Sequence, residues 1–132
     1  MIVVDASAVL ELLLRTPQSG FVADHLLSDD AEVHAPATLD LEIAGVLRRW
    51  ELGARLASAR AEQSLVFYLD QRIALHPPRP LLRRAWRLRG KFTSADALYL
   101  ALAEALDAAL LTTDQRLGVA AREHTAVAVI AP

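Results

Sequence analysis

Ile2-Val3-Val4-Asp5-Ala6-Ser7-Ala8 decides how the rest of the chain is read. Three consecutive β-prone apolar residues ending on a carboxylate describe a strand buried on both faces, as in the interior of a parallel sheet. A central strand this near the start leaves no room for a removable leader, so none is expected. In open α/β sheets, ligands bind beyond the carboxyl ends of the strands. Asp5 would stand at that edge, with Ser7 just past it.

Outward from this strand, helical and extended patterns alternate. Ala8, Val9, Leu12 and Leu13 recur at helical spacing until Thr16-Pro17, and a short helix is expected from about Ser19 to Leu27. After the Ser28-Asp29-Asp30 turn, Glu32 to Ala35 is a short strand stopped by Pro36. A long helix follows to about Trp50, with Leu39, Ile43, Val46, Leu47 and Trp50 as its apolar stripe. Gly53 separates it from a helix over Ala54 to Asp70. Arg72 to Leu75 reads as a strand and His76 to Pro80 as the loop that ends it. Leu81 to Arg89 forms a helix with arginines outward, closed by Gly90. Thr93-Ser94-Ala95-Asp96 opens the most apolar helix, Ala97 to Ala103, hydrophobic nearly all round and a surface that a dimer could use. Ala108 to Thr113 is a strand, a short helix runs from Asp114 to about Arg122, and Ala126 to Ile130 is the last strand. Parallel neighbours need crossovers, so this alternation predicts an α/β fold whose central parallel sheet is covered on both faces.

The 132 residues suit one domain, 1–132, with a core that needs no disulfide. The absence of cysteine excludes thiol catalysis and zinc-thiolate sites and fits a reducing, cytoplasmic setting. With 54% hydrophobic residues and a mean hydropathy of +0.27, the chain is unusually apolar. Its apolar stretches are too short to span a membrane, so the excess belongs to the core or to subunit contacts. A net charge of -2 provides no global attraction for nucleic acid, and any such binding must come from a local patch.

Four acids fall at or near the carboxyl edge: Asp5, Glu42, Asp96 and Asp114. Asp5 and Asp114 also suit helix N-caps, and Asp96 stands three after Thr93 as a capping-box acid would. Capping does not explain Glu42, which lies inside its helix. If the four converge, their repulsion raises their pKa values or demands a cation. An all-oxygen set selects Mg²⁺ or Mn²⁺, whose natural chemistry is phosphodiester hydrolysis. Ser7 offers a hydroxyl to a bound water or a phosphate oxygen. Helical phase leaves Asp40 and Glu42 as alternatives on opposite sides of the apolar stripe. The four histidines, His25, His34, His76 and His124, show no ligand spacing.

Ile2 to Ala8, Ala35-Pro36-Ala37-Thr38-Leu39-Asp40-Leu41-Glu42 through Arg49, Thr93 to Ala103, and Leu111-Thr112-Thr113-Asp114 together closely resemble PIN-domain ribonucleases of the VapC toxin type. The resemblance implies a three-layer α/β/α sandwich and an Mg²⁺-dependent (or Mn²⁺-dependent) endoribonuclease toxin that inhibits translation. It implies Asp5 and Asp96 as principal metal ligands, with Glu42, rather than Asp40, and Asp114 completing the catalytic acids. Thr113 joins Ser7 as an auxiliary group. A homodimer and a small VapB-type antitoxin partner are implied as well. Many relatives carry a further acid shortly after the position of Asp114, where this chain reads Gln115-Arg116-Leu117.

Two other readings compete. A receiver-like phosphoacceptor domain shares the topology and an acid pocket, but it needs a lysine at the end of its last strand and an acidic pair before its first aspartate. Here the only lysine is Lys91, and Val3-Val4 precede Asp5. A PIN-like module that binds without cutting differs only in activity. For RNA, the obvious patch is Arg79, Arg83, Arg84, Arg87, Arg89 and Lys91, an acid-free run leading to Asp96 in which Arg83 and Arg87 are the expected backbone contacts.

Overall fold

The computed structural model describes residues 1–132. Its strands are β1 (Ile2–Val4), β2 (Val33–Pro36), β3 (Ile73–His76), β4 (Ala109–Leu111) and β5 (Val129–Ile130). They form one all-parallel sheet in the order β3-β2-β1-β4-β5, so β1 is central as its three buried residues anticipate. The helices are α1 (Ala6–Leu13), α2 (Ser19–Leu26), α3 (Thr38–Leu52), α4 (Ser58–Leu69), α5 (Leu82–Arg87), α6 (Ser94–Leu106) and α7 (Gln115–His124).

Right-handed crossovers explain the layering. The chain steps from β1 to β2 to β3 in one direction, and α1 to α4 pack on one another over one face. It then returns across the sheet to β4 and β5, so α5 to α7 cover the other face. The result is a three-layer α/β/α arrangement. In its upper layer α6 lies across β1, β2 and β4. Leu98 to Ala103 are at most 6% exposed, so the chain's own core consumes the apolar surface that the sequence offered to a dimer. Any subunit contact must use another face.

Element boundaries differ from expectation where tertiary pairing overrides local pattern. Pro36 belongs to β2 because the β1 ladder ends at His34, and at the next positions β2 pairs only with β3. A missing N–H on the β1 side therefore costs nothing. β3 extends to His76, whose carbonyl accepts from Ala37 N at 2.8 Å. Trp50 and Val46 are only half-buried, leaving Leu39, Ile43 and Leu47 as the α3 stripe.

The α3–α4 junction corrects the sequence reading more substantially. The second helix begins at Ser58, not Ala54, because Ala54 takes the left-handed conformation with φ 57°. Gly53 keeps an ordinary φ of -83°, and a Cβ there would meet Arg49 O at 3.0 Å. Gly53 is thus selected for close approach and Ala54 bears the strain. Left-handed backbone costs an L-residue about 1–2 kcal/mol, and glycine in place of alanine gives back about 0.5–1 kcal/mol in entropy. Ala54→Gly should therefore stabilise the protein by about 0.5–1 kcal/mol in urea unfolding, whereas Gly53→Ala should destabilise it.

Candidate active site

Asp5 is the first residue beyond β1 and the N-cap of α1, with extended backbone (φ -93°, ψ 171°). It is only 4% exposed, and its carboxylate is almost fully occupied by its own chain. Oδ1 accepts from Ala8 N at 3.0 Å and from Ser7 Oγ at 2.7 Å. Oδ2 accepts from Thr112 Oγ1 at 2.6 Å. The last bond ties β1 to the end of β4, 107 residues away in sequence. Thr112 also accepts from Asp114 N at 3.0 Å, fixing the turn into α7.

Ser7 has its proton committed to Asp5, and its oxygen accepts from Thr113 N at 3.1 Å and Thr113 Oγ1 at 3.2 Å. The two auxiliary residues therefore brace each other, and Ser7 orients Asp5. Thr112, fully buried, does as much for Asp5 as Ser7 does, yet sequence reasoning passed over it. A β-branched residue at a strand end reads as a strand former, and only its neighbours Thr113 and Asp114 carried a signal.

Glu42 and Asp40 part company here. Tyr99 of α6, 1% exposed, donates to Glu42 Oε1 at 2.9 Å, whereas Tyr68 of α4 donates to Asp40 Oδ1 at 2.6 Å. Asp40 is thus held toward α4. Glu42 instead faces the sheet edge, where it feels Asp5 and Asp96. Tyr99 was hidden in sequence inside an apolar helix. Asp96 sits in the first turn of α6, whose N-cap Thr93 accepts from Asp96 N at 3.2 Å. Asp114 is exposed and caps α7 through Oδ1, which accepts from Arg116 N at 2.9 Å and Leu117 N at 3.2 Å.

The four carboxylates lie near enough to influence one another. Burial pushes the Asp5, Glu42 and Asp96 carboxyls above their ordinary range, and Thr112, Tyr99 and Thr93 respectively pull back. Repulsion adds to the upward shift: Asp96 acts on Asp5, both act on Glu42, and Asp114 acts on Asp96. Burial first, and then the neighbouring Glu42 carboxylate, drive the Tyr99 hydroxyl far above its ordinary value.

This donor set fits a hard divalent cation. It is all oxygen, the donor chemistry that a hard ion such as Mg²⁺ takes, with Asp5, Glu42 and Asp96 at least half-buried near one another. As the side chains stand, no three His, Cys, Asp or Glu residues are gathered closely enough to hold an ion. The only buried side-chain polar atom without a partner is Thr38 Oγ1. It lies one helical turn before Glu42 and so on the same face of α3. The basic run is smaller than it looks in sequence, because Arg84 is bound to Glu104 through two bonds of 2.6 and 2.9 Å. Arg83 and Arg87 are exposed and make no ion pair. His34 and His76 meet on one face of the sheet at 2.9 Å, a pair that the β2–β3 register creates.

Residues 2–123 match the PIN domain family model. The chain is 36% identical to ribonuclease VapC12 of Mycobacterium tuberculosis over 131 residues, 99% of this chain and 100% of that one. It is 40% identical to ribonuclease VapC1 of the same species, covering 89% of each. The crystal structure of VapBC2 from Rickettsia felis, bound to a DNA fragment from their promoter, superimposes with a TM-score of 0.69 over 99% of this chain and 98% of that one. At 14% identity that likeness speaks for the fold.

A carboxyl whose folded-state pKa is raised contributes stability that is full below its unfolded value and is lost as pH rises through the folded value. Metal-free protein should therefore lose stability from Asp5, Glu42 and Asp96 as pH climbs from about 4. Asp96→Asn forfeits about 0.3–1 kcal/mol of helix-terminus attraction, but the raised pKa says that desolvation and repulsion outweigh it. In EDTA at pH 7.5 the variant should melt higher than wild type, by about 3 °C per kcal/mol of strain relieved. The difference should vanish near pH 4. A variant that melts lower at pH 7.5 would contradict this electrostatic account.

Proposed function

The chain belongs to the PIN-domain family, and from that premise we propose that it is a metal-dependent endoribonuclease, the toxin half of a type II toxin–antitoxin pair. The observation that carries this reading is the family match over residues 2–123, beside which Asp5, Glu42 and Asp96, from three separate segments, are buried or half-buried near one another at one sheet edge. Such an arrangement is costly unless a cation occupies it. Asp5 and Asp96 are its principal ligands, Glu42 and Asp114 complete the catalytic set, and Mg²⁺ is the ion, with Mn²⁺ as a substitute. When bound, a hard divalent ion polarises a phosphoryl oxygen and makes water a better nucleophile at neutral pH.

The chain's own residues do the rest. Ser7 and Thr112 aim the Asp5 carboxylate, while Thr113 supports Ser7. Tyr99 holds Glu42 by one oxygen and leaves the other free to accept or return a proton at the scissile phosphate. Asp114 uses Oδ1 on the α7 terminus and has Oδ2 available through water. Arg83 and Arg87, one helical turn apart, take RNA phosphates.

Inhibition of translation through RNA cleavage, a homodimer, and control by a VapB-type antitoxin complete the proposal. Val66, Phe67 and Leu69, 44% to 67% exposed on α4, are apolar surface that such a partner would cover.

Purified protein should cut single-stranded RNA in Mg²⁺ and not in EDTA. Loss of an outer-shell partner alone costs metal sites about 10- to 100-fold, so Asp96→Ala should lower cleavage by more than about 100-fold with its circular dichroism unchanged. Cleavage undiminished by EDTA would exclude the metal role. Expression of wild type should arrest growth, with rescue by the antitoxin. Equal arrest by Asp96→Asn would show that the effect is not catalytic. Replacing Arg83 and Arg87 together should flatten the slope of log affinity against log salt by about 1.4, at about 0.7 per phosphate contact.

A further inference from the structure

Trp86 is 67% exposed, the bulkiest of several large apolar side chains left on the surface. It stands on α5 four residues after Leu82, itself 52% exposed, so the two share one face. Arg83 and Arg87 form the adjoining row. Arg89 folds back over the indole with its guanidinium carbon 4.5 Å from the ring centre, held there by Nη1 donating to Trp86 O at 2.8 Å. One ring face is thus stacked on a fixed cation, and the exposure belongs to the other. Leu82, Arg83, Trp86, Arg89 and Ser94 line a cleft of about 400 Å³. Ser94 opens α6, two residues before Asp96.

We infer that Trp86 is a base-stacking platform that seats a nucleotide of single-stranded RNA in this cleft, on the approach to the acidic site. The inference rests on the ribonuclease reading and adds the residue that reads a base rather than the backbone. A solvated helix face explains exposed arginines but not an exposed tryptophan. A nucleotide needs both, since its base stacks on an aromatic ring while its phosphate seeks a guanidinium. Charge complementarity favours RNA as the occupant: Arg83, Arg87 and Arg89 surround the indole, the run from 79 to 91 holds no acid, and the one arginine of α5 that is paired, Arg84, finds its acid on α6. The other tryptophan, Trp50, also carries a stacked arginine, Arg55 at 4.8 Å, but it is half-buried and offers no comparable platform.

The test uses the full chain carrying Asp96→Asn to prevent cutting and Trp50→Phe to leave Trp86 as the sole indole. The probe is a ten-nucleotide single-stranded RNA of mixed sequence, end-labelled for anisotropy. Binding should change Trp86 emission saturably, in step with anisotropy. Trp86→Ala should weaken affinity by about 5- to 150-fold, the range for loss of one stacked base, while Trp86→Phe stays within about threefold. Because stacking releases no counterions, the salt slope should be the same in Trp86→Ala as in its parent. In the cutting enzyme the same substitution should raise KM with kcat retained. Unchanged affinity in Trp86→Ala, with RNA still bound and cut, overturns the platform and leaves the ribonuclease reading standing. Conversion of a dimer to a monomer by Trp86→Ala overturns it in favour of a subunit contact. If the parent chain with Asp96 intact neither binds nor cuts RNA, the ribonuclease reading itself falls, and the platform with it.

Discussion

The hydrogen bond from Thr112 to Asp5 joins the end of β4 to the end of β1 and buries a carboxylate between them. Burying an ionised group is among the costliest things a fold can do, and here three donors from the chain offset it only in part, since the Asp5 carboxyl remains above its ordinary range. Neighbouring parts of the molecule are arranged around that residual cost. Ser7 and Thr113 exist in their orientations to complete the donor set, and the turn into α7 is pinned by Asp114 N on the same Thr112 oxygen. The sheet order places β1 between β2 and β4, so the helices that follow β2 and precede β4 deliver Glu42 and Asp96 to the same edge.

This arrangement separates scaffold from chemistry. The upper layer supplies α6, which buries Ala97 to Ala103 in the core and opens to solvent at its two ends, the first of which carries Asp96. Tyr99 is the link between the two roles. Its ring fills the core, while its hydroxyl emerges at the edge to hold Glu42. The short α5 carries exposed arginines and the exposed Trp86 just ahead of the first turn of α6, where Asp96 sits. A negatively charged cleft repels phosphate unless a cation lies within it and a basic surface leads to it, and the proposed metal and the proposed RNA track answer that one requirement.

Much of this was legible in the chain. A buried strand ending in Asp5, alternating periodicities and an all-apolar helix determine the layers, because periodicity reports burial directly. Boundaries were less legible wherever pairing decided them: Pro36 is tolerated in β2 only because β1 has already ended, and Ala54 rather than Gly53 turns the chain because Gly53 must sit against Arg49. Within the site, the acids were visible as residue types, but Glu42 and Asp40 are equivalent in helical phase. They are told apart by two tyrosines that lie 57 and 28 residues away. Thr112 was invisible for a similar reason, since its hydroxyl acquires a role only when β4 lies beside β1. The His34–His76 pair likewise depends on strand register and leaves no trace in spacing.

The central claim is that carboxylates scattered through the sequence make one cation site at the carboxyl edge of the sheet. Crystals grown or soaked with Mn²⁺ and measured for its anomalous scattering test that claim most directly. The account predicts a peak between Asp5 and Asp96, within reach of Glu42 and Asp114 through water, that disappears in Asp96→Asn. A peak at His34 and His76 with none at the acids, or an acid edge that stays empty at millimolar Mn²⁺ and neutral pH, would contradict it.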